Sequence, residues 1–198
     1  WWRPGEGQLL PRELLAALAR EAPGVDWLWG RRATAVQSHR VDLDDGRHLD
    51  ADLVIDTRGL GAKTDVTQLR GVRGEILWLH APGVVLPRRV RLVHPRHRVY
   101  LVPRPGNVIV VGASEVESED RSPVSLRSAV ELMAAAHSVL PALAEARIVH
   151  METNLRPALP DHRPLLAHEP GLLRINGLFR HGWLLAPALA GKALQHVW

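Results

Sequence analysis

From Val72 onward short apolar runs alternate with polar and turn segments, and this texture constrains the fold more than any other feature. Glu75 to Leu79, Val90 to Val93, Val99 to Val102 and Val108 to Gly112 read as antiparallel strands. Pro103-Arg104-Pro105-Gly106-Asn107 joins the last two as a hairpin loop. Ser122 followed by Pro123 predicts a helix start, with Ser122 as N-cap and Pro123 at the first helical position. The helix then runs to Leu140, before Pro141 stops it, and Arg147 to Thr153 reads as one more strand.

The flanks have a different texture. Residues 11–22 place Leu14, Leu15, Leu18 and Ala22 at helical spacing, with Pro11 near the first turn and Pro23-Gly24 at the end. Val25 to Trp29 and Ala33 to Ser38 read as strands. Arg40 to Leu43 and Gly46 to Leu49 flank an Asp44-Asp45-Gly46 turn suited to a hairpin. Ala51 to Asp56 is a compact apolar strand that runs into Arg58-Gly59-Leu60-Gly61-Ala62, and glycines after a buried strand commonly bring backbone close to a ligand. The tail reads as a strand at Leu172 to Asn176, a loop from Gly177 to Trp183 and a helix from about Leu185. The expected class is α/β, in part α+β.

Composition narrows the function. With 46% hydrophobic and 23% charged residues in 198, the chain can bury a core, and disorder and collagen are excluded. No apolar run approaches the roughly 20 residues that span a bilayer, and no signal peptide is visible at the start, so a cytoplasmic protein is expected. The absence of Cys removes disulfides, thiolate nucleophiles and iron–sulfur ligation. The charge is +4, from 25 Lys+Arg against 21 Asp+Glu, and the Arg residues are scattered rather than arranged as a phosphate-tracking stripe. Nucleic acid is therefore not an expected partner. The chain starts without Met and stops inside an apolar helical pattern at Gln195-His196-Val197-Trp198, so a piece of a longer protein is expected.

Most motifs fail on spacing. Gly59-Leu60-Gly61 follows a strand, but Thr64 stands where a dinucleotide loop needs its third glycine. Gly191-Lys192 lacks the rest of a phosphate loop, and His94 and His97 have no third metal ligand close in sequence. No Gly-x-Ser-x-Gly elbow exists. The acids at Asp44-Asp45 and at Glu117, Glu119 and Asp120 read as solvated loops.

Three residues remain. Tyr100, the only Tyr, sits in an apolar strand; Arg156 stands at the end of a strand where Pro157 is expected to force the chain out of pairing; Arg180 precedes the last helix. Two guanidinium forks and a phenol can hold a carboxylate, and a glycine-led helix entrance can hold an anion. Taken singly, each Arg reads first as half of a surface ion pair, and the sequence does not say whether the three converge.

Several phrases carry a resemblance: Val72-Arg73-Gly74-Glu75, Tyr100-Leu101-Val102-Pro103-Arg104, Val110-Val111-Gly112-Ala113-Ser114-Glu115, Glu119-Asp120-Arg121-Ser122-Pro123, Leu155-Arg156-Pro157 and Arg180-His181-Gly182-Trp183-Leu184-Leu185-Ala186-Pro187-Ala188. Together they resemble the FAD-dependent amine oxidases of the D-amino-acid oxidase superfamily, and within it the glycine oxidases of thiamine biosynthesis. The resemblance implies an incomplete FAD-binding Rossmann-like domain with an antiparallel substrate domain. Residues 1–66 would end the FAD-binding domain, 67–154 would form the substrate domain, and 155–198 would return to the first. It implies that Tyr100, Arg156 and Arg180 hold a substrate carboxylate. Arg58, Gly59, Gly61, Ala62, His181, Gly182, Trp183 and Leu184 would lie at FAD.

The implied reaction is oxidative deamination of glycine or a similar small amino acid. It gives an imine and then a 2-oxo acid with ammonia and H2O2, and the glycine imine feeds thiazole synthesis. The expected partners are the amino acid and O2, with a homo-oligomer allowed and neither nucleic acid nor membrane; no metal is implied. Weak or absent FAD affinity is expected of these residues alone. Two rivals are an oxidase or dehydrogenase of another small amine, such as sarcosine or a D-amino acid, and a non-catalytic remnant that binds an acidic partner. Three positions depart from the family pattern or vary within it: Arg98 before the strand Tyr, Glu115 where some relatives carry an apolar residue near the substrate, and His181, which can be Asn. For Trp183, packing is the expected role.

Overall fold

The structure, a computed structural model, describes residues 5, 7–93 and 99–195. In chain order it contains α1 (Pro11–Arg20), β1 (Ala33–Gln37), β2 (Arg40–Leu43), β3 (His48–Asp50), β4 (Val54–Asp56), β5 (Arg70–His80), β6 (Val90–Arg91), β7 (Tyr100–Arg104), β8 (Val108–Gly112), α2 (Leu126–Val139), β9 (Arg147–Ala158), β10 (Leu165–Glu169), β11 (Leu172–Asn176) and α3 (Gly182–Leu194). Short 3-10 turns lie at Gly59–Ala62 and Pro141–Glu145. His94, His97 and Arg98 fall outside the described residues. Among the described residues no helix is long and apolar enough to cross a membrane.

The alternating run becomes a five-stranded antiparallel sheet of order β6-β7-β8-β5-β9. Successive side chains on a strand point to opposite faces, so each strand contributes to two surfaces. Leu77, Leu79, Leu101, Ile109 and Val111 share one face and pack on Leu132, Ala135 and Ala136 of α2, which forms the main core. That leaves Ile76, Tyr100, Gly112 and Arg156 on the opposite face, since Tyr100 pairs Gly112, Gly112 pairs Ile76 and Val72 pairs Arg156. The site is built there.

Two smaller sheets complete the chain, β1-β2-β3 and β10-β11-β4. In the second, β11 near the C-terminus pairs in parallel with β4, Leu173 opposite Ile55, so the tail returns to the segment before the 3-10 turn at Gly59. Val36, Val54 and Leu172 form a small core between the two sheets.

Four expectations change. Val25 to Trp29 is turn and irregular backbone rather than a strand, with the Trp27 and Trp29 rings stacked at 5.0 Å. The N-cap of α2 is Ser125, whose Oγ accepts from Ser128 N, because Ser122 is held by Asp120 through its N–H and its hydroxyl. Pro157 does not break the pairing; it sits opposite Gly71, and β9 runs on to Ala158. An edge strand tolerates Pro because its outward N–H meets no neighbour, and β9 is an edge. The residues 154–155, where the domain boundary is expected, lie within β9. Finally, α3 starts at Gly182, earlier than the expected Leu185, and carries Pro187 within its first turns.

Candidate active site

Two glycines shape the sheet face opposite α2. A Cβ on Gly74 would collide with the Arg156 guanidinium, and one on Gly112 would collide with the Tyr100 phenol and the Ile76 side chain. The missing side chains therefore let the guanidinium and the ring lie flat across the strands. Arg156 Nη1 donates to the carbonyls of Ser114 (3.2 Å) and Arg73 (3.4 Å), which fixes the fork. The half-buried guanidinium has no carboxylate partner among the described residues.

The carbonyls that hold Arg156 are themselves anchored. Arg73 and Glu75 are buried within β5, at 4% and 0% exposure. Arg73 Nη2 donates to Glu75 Oε1 (2.8 Å) and to the Pro123 carbonyl, and Nη1 donates to the Asp120 carbonyl. Glu75 also accepts from Ser114 Oγ (2.8 Å) and Ser125 N (2.9 Å). Burial works to raise the Glu75 carboxyl, but donors from Ser128, Ser125, Arg73 and Ser114 outweigh it and hold the group at about 2. One carboxylate thus ties β5, the Ser114 segment and the start of α2 together.

The loop before α3 delivers Arg180. Phe179 N donates to the Pro157 carbonyl (3.0 Å), which pins the loop to the end of β9 one residue from Arg156. Arg180 Nη1 then meets Glu115 Oε2 at 2.5 Å. Tyr100, Arg156 and Arg180 lie close enough to act on one another. Burial pushes the Tyr100 phenol above its ordinary value, against the pull of Arg156 and then Arg180, so it stays a protonated donor. Burial lowers the Arg156 guanidinium; Tyr100 acts against that and the charge on Arg180 adds to it. The structure brings the three sequence-selected residues together.

A neighbouring cleft of about 380 Å³ is lined by Gly59, Pro157, Asn176, Gly177, Ala186 and Leu189 among others, and Gly59 is the one predicted cofactor residue in its lining among the described residues. Gly59 reaches it through its backbone, and its carbonyl accepts from Asn176 Nδ2 at 2.9 Å. Arg58 instead turns its guanidinium onto Asp56 (2.9 and 2.8 Å) and Asp65 (2.5 Å), and the Ala62 side chain is buried, so neither presents a free group to a ligand. Burial works to raise the Asp56 carboxyl, yet the hydrogen bonds and charge of Arg58, with Arg174, hold it below its usual range. Gly61 is exposed on the same turn. His181 precedes α3 without capping it through its side chain, and space is open at Gly182. The Gly182 and Trp183 N–H groups meet no acceptor among the described residues. Trp183 and Leu184 are exposed.

Sequence reasoning missed the Gly74 and Gly112 cradles, the Arg73 and Glu75 pair and β10. Opposite charges two apart in an apolar strand, with glycine between, were the available signal for Gly74 and for the Arg73 and Glu75 pair.

The sequence pattern of the DAO family, described as FAD dependent oxidoreductase, matches residues 1–196, and the chain belongs to that family. It is 40% identical over 196 residues to a Rhizobium etli protein assigned to thiamine biosynthesis as the oxidoreductase ThiO, covering 97% of this chain and 56% of that protein. The crystal structure of glycine oxidase from Geobacillus kaustophilus matches with a TM-score of 0.81 at 28% identity, over 94% of this chain and 53% of that one. The crystal structure of iminodiacetate oxidase from Chelativorans sp. BNC1 matches with a TM-score of 0.71 at 27% identity, over 93% of this chain and 55% of that one. The chain spans about half the length of these relatives and shares their mixed helix-and-strand fold.

The site fits part of a flavin. Two unpaired N–H groups at a helix entrance suit an edge that gains negative charge, and the apolar cleft suits a flat ring. The pyrophosphate-binding glycine motif has no counterpart in the sequence.

Proposed function

We propose that this chain carries the substrate side of an FAD-dependent oxidase that deaminates glycine or a similarly small amino acid. In this reading the imine product supplies thiazole formation in thiamine biosynthesis. The observation that carries it is Arg156: a partly desolvated cation, crowded by Arg180, held by two carbonyls and lacking a carboxylate partner among the described residues, beside a protonated phenol. An anionic ligand with one planar, two-oxygen end completes that arrangement. The names and folds of the relatives favour the same substrate class.

The Arg156 fork takes the substrate carboxylate, and Tyr100 donates its O–H to one oxygen. Arg180 adds positive potential from the loop side. With the carboxylate fixed on the sheet face, the amine and α-carbon extend toward the α3 entrance. There the Gly182 and Trp183 N–H groups, with the Gly59 backbone, His181 and Leu184, would hold FAD. When bound there, FAD would supply the two-electron acceptor for the α-carbon hydride, with O2 as the final oxidant that becomes H2O2. The amine must be neutral for the C–H bond to break in this way, and the positive potential around the substrate favours its deprotonated form. Water then converts the imine to the 2-oxo acid and ammonia. A cytoplasmic setting, small-molecule partners and assembly with further copies of the chain go with this reading.

The test is steady-state turnover of the holoenzyme with glycine, sarcosine and D-alanine, for the parent and for Arg156→Lys. Loss of the bidentate fork is expected to weaken apparent binding by about 2–4 kcal/mol, read as a higher KM. An unchanged KM for every substrate contradicts the proposal.

A further inference from the structure

Glu115 adds a negative charge to a site otherwise built to attract one. It directly follows Ser114, so one short segment anchors both arginines: the carbonyl of residue 114 holds Arg156, and the carboxylate of residue 115 holds Arg180. Glu115 also acts electrostatically on Arg156 without bonding to it. The pair it forms with Arg180 is half-open, with the Arg side chain 32% and the Glu side chain 42% exposed. The pair is thus open to solvent and within electrostatic reach of Arg156.

The charges at this point can be counted. Arg156 and Arg180 supply two positive charges, Glu115 removes one, and Tyr100 is a neutral donor. More weakly coupled cations stand further off: Arg104 is tied to the Leu9 carbonyl, and Arg91 lies across from Tyr100 on β6. The remainder matches one carboxylate. A substrate with a second carboxylate near the amine would meet Arg180 already occupied and would have to sit beside the oxygens of Glu115 or displace them. Like charges in a partly desolvated site repel far more strongly than in bulk water.

We propose that Glu115 is a specificity-determining residue: by occupying the Arg180 fork it admits amines with a single carboxylate and rejects those with two. This rests on the reading of Arg156 and Tyr100 as the carboxylate grip. Residue 115 thus sets how many acid groups the substrate carries, while Arg156 sets that it carries one.

The test uses two unreactive ether analogues, methoxyacetate with one carboxylate and oxydiacetate with two, titrated calorimetrically into the holoenzyme. The parent is expected to favour methoxyacetate by at least about tenfold. Glu115→Gln, which keeps the shape and removes the charge, is expected to shift the ratio of the two affinities toward oxydiacetate by roughly 10- to 100-fold. Glu115→Asp, which keeps the charge, is expected to retain the parent's preference. A ratio within about threefold of the parent's in Glu115→Gln overturns the inference while leaving the carboxylate grip intact, provided the parent binds methoxyacetate. A parent that binds neither analogue overturns the grip and this inference together. If Glu115→Gln does not fold, a parent that fails to discriminate between the analogues still overturns the inference.

Discussion

Helices α2 and α3 are nearly equal in length, 14 and 13 residues, and end in opposite circumstances. Amphipathic α2 buries Ser128, Ala129, Leu132, Ala135 and Ala136 against the five-stranded sheet. In α3, GWLLAPALAGKAL is almost wholly apolar, yet only Ala193 is buried and Leu184 is 76% exposed. Apolar composition therefore does not decide burial; the neighbouring element does. The sheet and α2 close a core within this chain, whereas α3 borders the cleft next to the proposed carboxylate grip. One region backs the sheet face that carries Tyr100 and Arg156, and the other presents donors and apolar surface to whatever enters the cleft.

The contrast can be broken most forcefully at Glu75. Its removal leaves the buried Arg73 with only the exposed Asp120 as a carboxylate partner among the described residues and frees Ser114 and Ser125, so Glu75→Ala is expected to cost about 3–5 kcal/mol in denaturant unfolding. The same carboxylate sets an acid limit. Its folded value of about 2 lies below its ordinary 4.5, so its contribution to stability is fully present above pH 4.5 and is lost as the pH falls toward 2. Unfolding followed by circular dichroism across that window should show the loss in the parent and less of it in a Glu75→Gln variant. A flat profile in the parent would contradict the buried pair.

Truncation sharpens the comparison further. Leu101 is fully buried in the α2-facing core, and Leu101→Ala is expected to cost about 2–5 kcal/mol. Leu184→Ala, on the open face of α3, should stay within about 0.5 kcal/mol. Equal costs in the two variants would mean that α3 is packed after all.

Much of this organisation was legible in residue pattern, and the reasons for the gaps are physical. The short apolar runs yielded β5, β7 and β8 because each lays one face on the main core against α2. Ser122-Pro123 misled because Ser122 has a better local partner in Asp120, leaving the cap to Ser125. Pro157 misled because pairing tolerance depends on edge position, which only the assembled sheet defines. Tyr100, Arg156 and Arg180 were visible as residue types at element ends, but their meeting depends on two glycines on strands β5 and β8 and on a loop pinned to β9. The family resemblance placed Arg58 at the cofactor; in three dimensions its guanidinium is taken up by Asp56 and Asp65. The pairing of Glu115 with Arg180 crosses 65 positions, a distance that local pattern does not span.

The grip itself is best tested by equilibrium binding rather than turnover. Glycolate titrated into the holoenzyme by calorimetry should bind the parent and lose at least about tenfold in affinity with Arg156→Leu, which removes the fork while preserving much of the side-chain bulk. Equal glycolate affinity in parent and variant would show that the carboxylate is held elsewhere.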